Sequence, residues 1–170
     1  MRIMIFILMV ISFCGLKGQE KLEEDIISVH DKSFVEEATK SGLAEVEMGK
    51  LAQKQGNSQF VKTFGFQMEN DHSKANRELK EIAGRKNISL SNTLPNQQMM
   101  DKMSAKSGTD FDKAFMAQMV IDHEKAISLF ENFIQNGRNT ELINWAKTKL
   151  PVLKAHLKEA KEIEKYIQVK

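Results

Sequence analysis

The chain has 170 residues, 41% of them hydrophobic and 28% charged, with a formal net charge of +2. That suffices for one domain with a packed core and excludes a disordered tail, a collagen-like repeat and a polytopic membrane protein. Two prolines, nine glycines and 7% aromatics, amid abundant Lys, Glu, Ala, Leu, Gln and Met, favour helices over a many-turned all-β domain.

Residues 1–18 carry an early positive charge at Arg2, a predominantly apolar stretch from Ile3 to Phe13, and small residues at Gly15 and Gly18. The stretch is too short for a membrane span of about 20 residues and has the layout of a secretory signal peptide. The expected organisation is therefore a leader over 1–18, a linker over 19–32 and a helical bundle over 33–170. Cleavage after Gly18 removes Arg2 and Lys17, leaving 23 basic and 23 acidic residues. A neutral mature chain with no basic block argues against a nucleic-acid partner, and it holds no further apolar run that would make a transmembrane helix. The single cysteine is Cys14. Its surroundings, Ile11-Ser12-Phe13-Cys14-Gly15, resemble a bacterial lipoprotein cleavage box, although Phe13 stands where such boxes hold a small residue. A lipid anchor at Cys14 and simple secretion both remain open. Either route implies export to the periplasm or cell envelope, with no disulfide to hold the mature fold.

Four stretches carry helical periodicity bounded by start and stop signals. The first is expected from Ser33, paired with Glu36 as a capping box, to Gly56, with Phe34, Val35, Ala38, Gly42, Val46 and Ala52 inward. The second runs from Ser58 to Gly84, burying Val61, Phe64, Met68, Ala75, Leu79 and Ile82. The third runs from Thr109 to Asn136-Gly137 with Phe111, Phe115, Met119, Ala126, Phe130 and Phe133 inward. The fourth runs from Thr140 to the C-terminus and buries Leu142, Trp145, Leu153, Leu157, Ala160 and Ile163, with Pro151 inside it. Short first and third connections make two antiparallel hairpins. The long connection from Arg85 to Gly108, with a short helix over 96–107, is long enough to carry the chain back along the bundle. The expected fold is all-α: a ferritin-like four-helix bundle with a crossover between helices two and three. A repeat agrees with it. Phe64-x-x-Gln67-Met68-x-x-Asp71-His72-x-Lys74-Ala75 recurs 51 residues later as Phe115-x-x-Gln118-Met119-x-x-Asp122-His123-x-Lys125-Ala126, and parallel helices would set both histidines at one depth.

The polar residues on the apolar rows are the informative ones. His72 follows Phe64 and Met68, His123 follows Phe115 and Met119, His156 follows Leu153, and Glu45 lies between Gly42 and Gly49. Glu45 is twelve residues before the turn at Asn57 and His72 fifteen after it, about 18 and 22 Å along their helices. His123 is fourteen before Gly137 and His156 nineteen after it, about 21 and 28 Å. Within about one helical turn all four share a layer. Three imidazoles and a carboxylate there suit a mononuclear Zn, Cu, Fe or Mn site. Asp71, Asp122 and Glu124 adjoin these ligands as supporting acceptors or surface charges, and Met68 and Met119 are either soft ligands for copper or core filler. Glu69 has the Glu-x-x-His spacing of di-iron bundles, but the third and fourth helices have Val120 and Leu153 at that place. A polar layer that only sets bundle register, with no metal, is the competing reading. No nucleophile triad, phosphate loop or dinucleotide fingerprint is present to suggest an enzyme class.

Phe34-Val35, Gly42-Leu43-Ala44-Glu45-Val46-Glu47-Met48-Gly49, Asp71-His72-x-Lys74-Ala75, Asp122-His123-Glu124 and Leu150-Pro151-x-Leu153-x-x-His156-Leu157 together resemble a bacterial family known as domain of unknown function 4142. The resemblance implies an exported or lipoprotein-like bundle with a ferritin-like fold and brings no established activity. The segment Phe115-Met116-x-x-Met119-Val120-x-x-His123 is also similar to a second exported family of small histidine- and methionine-rich bundles associated with copper, which has another histidine where this chain has Asp122. The function these residues lead us to expect is metal handling or stress protection, with a metal-free structural module as the alternative.

Overall fold

The computed structural model describes residues 26–90 and 97–169; the leader, Cys14 and Pro95 lie outside them. The described residues form α1 (Val29–Gln55), α2 (Gln59–Arg85), α3 (Gln97–Ser104), α4 (Gly108–Asn136) and α5 (Thr140–Gln168). None of these helices is long and apolar enough to cross a membrane. The start of α1 differs from the sequence expectation. Ser28, not Ser33, is the N-cap, because Asp31 completes the capping box: Ser28 Oγ accepts from the Asp31 N–H at 3.1 Å, and the Ser28 N–H donates to Asp31 Oδ2 at 2.8 Å. Residues 29–32 therefore belong to the bundle, and His30 lies on the exposed side of the first helical turn. Pro151 sits on the exposed face of α5, which continues through it.

α1 packs most extensively on α2 and α4 on α5, with α1 against α4 and α2 against α5 completing the bundle. A backbone bridge between Gly56 and Gly108 puts the end of α1 beside the start of α4. At the other end Asp31, in the first turn of α1, accepts from the N–H groups of Arg138 and Asn139, just after α4. α1 is thus antiparallel to α4, so α2 and α4 run parallel and the chain crosses over between them through α3. This is the expected four-helix architecture.

Two buried carboxylates hold that connectivity. Asp31 stitches the α4–α5 turn to α1, while Asp112, in the first turns of α4, accepts from the N–H groups of Asn57 and Ser58 in the α1–α2 turn at 2.9 and 2.7 Å. Each satisfies backbone donors at the end of the opposite hairpin. Burial alone would raise the Asp31 carboxyl, but the Ser28 hydroxyl and the N–H groups of Arg138, Ser28 and Asn139 bring it below its ordinary value. Within the first hairpin the helices touch at Gly49 and Gly65: a Cβ on either would stand 2.5 to 2.7 Å from the other's carbonyl oxygen.

The interior falls into two apolar halves. One gathers Phe34, Leu79, Phe130, Phe133, Leu142 and Trp145, with Phe34 stacked on Phe133 at 3.8 Å between ring centres. The other gathers Phe64, Phe111 and Phe115 with the buried methionines Met48, Met68, Met103, Met116 and Met119. Glu45, His72, His123 and His156 fall between the two on every long helix, and all four are buried.

Replacing Asp112 by Ala leaves two N–H groups of the α1–α2 turn without their acceptor. We expect a loss of about 2 kcal/mol, read as a lower thermal midpoint of the full chain; an unchanged midpoint would contradict the clip.

Candidate metal centre

His72, His123 and His156 come from α2, α4 and α5, each about midway along its helix. They converge because each continues an apolar row: the i+4 step from Met68 brings His72 inward and the same step from Met119 brings His123 inward, as the repeated motif implies. Ring centres lie 5.4 to 5.8 Å apart, and one nitrogen from each ring can be chosen so that all three lie within 4.8 Å of one another. The rings are 6%, 0% and 1% exposed.

Among the described residues every ring has one nitrogen held and the other without a partner. His72 Nδ1 lies 3.0 Å from Glu45 Oε2, His123 Nδ1 is 2.9 Å from the Met119 carbonyl oxygen, and His156 Nε2 is 2.9 Å from Asp71 Oδ2. The unpartnered atoms are His72 Nε2, His123 Nε2 and His156 Nδ1. An acceptor behind each imidazole is what fixes ring orientation at a metal centre.

Glu45, grouped with the histidines as a fourth ligand by the sequence, stands at the Nδ1 edges of His72 and His123, with Oε1 3.6 Å from His123 Nδ1. Its place is behind the rings rather than among their unpartnered nitrogens. Asp71 takes the supporting position. Asp122 accepts from Gln118 Nε2 at 2.8 Å and acts on Glu45 through charge. Glu69 accepts from Gln53 Nε2 on the α1–α2 surface, and Glu124 pairs with Lys161 in solvent, so neither joins the layer. Met68 and Met119 pack in the second apolar half; Met119 serves the centre through its carbonyl oxygen. Asn76 was not anticipated. One turn after His72, it borders a cavity of about 140 Å³ that reaches Glu45, His72 and His156. Its i+4 spacing from His72 is the signal that could have identified it.

Burial dominates the electrostatics. It pushes Glu45 up to about 8, helped by the Asp122 charge, and His72 down to about 3, helped by His123 and His156. His123 falls to about 4, burial outweighing the Met119 hydrogen bond, and His156 falls despite Asp71. Near neutral pH the layer holds neutral imidazoles, the protonation state a metal requires.

A model of the family described as Domain of unknown function (DUF4142) matches residues 17–163. No curated protein matches the chain. Among solved structures, a DUF305 fragment from Deinococcus radiodurans superposes with a TM-score of 0.73 at 9% identity, covering 82% of this chain and 98% of that one. CopM in its Cu(I)-bound form superposes with a TM-score of 0.67 at 18% identity, covering 78% and 93%. At these identities the likeness is one of fold.

The shifts set a pH profile. Below the ordinary imidazole value of 6.5 the unfolded chain protonates three histidines that the fold keeps neutral, so stability falls as pH drops from 6.5 toward 4. Glu45 acts oppositely: protonated in the fold up to about 8 but ionised above 4.5 when unfolded, it withdraws stability as pH rises between those values. Three histidines outweigh one glutamate below 6.5, and Glu45 acts alone above it. Thermal melts of chelated protein should therefore peak near pH 6.5, and a flat profile from pH 5 to 8 would contradict the buried layer.

Proposed function

We propose, from the premise that this chain belongs to the DUF4142 family, that it binds one transition-metal ion through His72, His123 and His156, for metal handling or redox-stress protection in the cell envelope. The observation that carries the reading is the set of three buried imidazoles from three helices, each oriented by an acceptor and each with one nitrogen unpartnered. An all-imidazole donor set suits copper and zinc better than hard cations.

A cation at this depth is stable only if its charge is compensated nearby. Glu45 at the His72 ring and Asp71 at the His156 ring are the carboxylates placed to do so, one of them sufficing for Cu(I) and both for a divalent ion. With a metal held at His72 Nε2, Nδ1 would carry the proton and donate to the Glu45 carboxylate. CopM, of similar fold, is itself described in a Cu(I)-bound form. Export belongs to the same reading and rests on the leader over 1–18, so the mature chain is expected to begin at Gln19 or, if lipidated, at Cys14.

Elemental analysis of the purified chain loaded with Cu(I) should give one ion per protein, falling below about a tenth in His72→Ala and His123→Ala. The same metal should raise the melting point of the parent alone, since ligand at about a hundred times Kd contributes about 2.7 kcal/mol. Equal metal content in parent and variants, or no metal and no change on adding chelator, would favour the metal-free register layer.

A further inference from the structure

A metal held by three protein nitrogens retains a coordination position for something else, unlike four-ligand structural sites. Two cavities approach the layer. The larger, about 350 Å³ between α1 and α4, is bordered by Glu45 and Asp122 but by none of the three histidines. The smaller, about 140 Å³, has Glu45, His72 and His156 at its inner end and the more exposed Lys74 and Val152 toward the surface. It is well below the roughly 300–1,000 Å³ of pockets that hold drug-sized ligands, so its occupant has only a few non-hydrogen atoms.

Asn76 borders this cavity and carries an uncommitted donor. Among the described residues its Nδ2 is buried without a hydrogen-bond partner. Its side chain lies over Gly42, where a Cβ would come within 2.3 Å of Asn76 Oδ1. The missing side chain at Gly42 thus gives the amide its place, and a buried N–H without an acceptor is costly unless a bound group supplies one.

We propose that this cavity admits a diatomic or triatomic ligand to the open position of a triad-bound metal, with Asn76 Nδ2 donating to that ligand. The inference rests on the metal-binding reading above and adds that the centre exchanges a ligand. Asn76 acts as a specificity-determining residue, and Gly42 as the positioning residue that gives its amide room.

Carbon monoxide on the Cu(I)-loaded full chain is the probe, followed by the infrared C–O stretch and by titration. The parent should give one bound band that saturates. Asn76→Leu, and independently Gly42→Ala, whose Cβ takes the space of the Asn76 amide, should keep one copper per chain, weaken carbon monoxide about tenfold or more, and shift the stretch. Copper at one per chain with no bound C–O band overturns this inference and leaves the metal-binding reading standing; so does a band identical in position and affinity in all three chains. Failure of the parent to take up copper overturns both.

Discussion

The structure turns on the desolvation of one polar layer. Three imidazoles and a carboxylate lie between two apolar halves, buried almost completely. Each imidazole has one nitrogen engaged by Glu45, the Met119 carbonyl or Asp71, and the other finds no partner among the described residues. Buried polar atoms left in this state weaken a fold. Apolar residues of similar volume would pack the same space at lower cost. The layer is therefore better explained by what its unpartnered nitrogens can receive than by the stability it lends the bundle.

The rest of the fold delivers those side chains to one depth. The crossover makes α2 and α4 parallel, so two copies of one motif present His72 and His123 side by side at 5.8 Å between ring centres. Asp31 and Asp112 tie each hairpin turn to the opposite pair of helices, and the Gly49–Gly65 contact sets the spacing of α1 and α2. Glu45 lies against both repeat-derived rings, and its burial links the proton inventory of the layer to whatever charge enters it.

Helix periodicity and the repeat were legible in the sequence because they depend on local spacing: four long helices, the crossover, and one inward histidine on each of three helices. What was not legible depends on distance through space. Ser33 and Glu36 satisfied the same pattern as Ser28 and Asp31, and the contact of Asp31 with Arg138 and Asn139, over a hundred residues away, adds to the capping box that makes Ser28 the cap. Nothing local marks Asp112, in the second turn of α4, as an anchor, because its partners, Asn57 and Ser58, belong to another hairpin. Depth arithmetic put Glu45 in the right layer but could not say on which side of the rings it stands. The i+4 spacing from His72 places Asn76 on the same face, but the room that Gly42 leaves for its amide is a contact between two helices.

The central claim is that the ion sits among nitrogens, although Met68 and Met119 lie one turn from the same rings. X-ray absorption fine structure of the copper-loaded chain tests this directly. About three nitrogen scatterers at roughly 2.0 Å with the outer-shell pattern of imidazole rings are expected. A first shell dominated by sulfur at about 2.3 Å, or by oxygen without imidazole scattering, would contradict it.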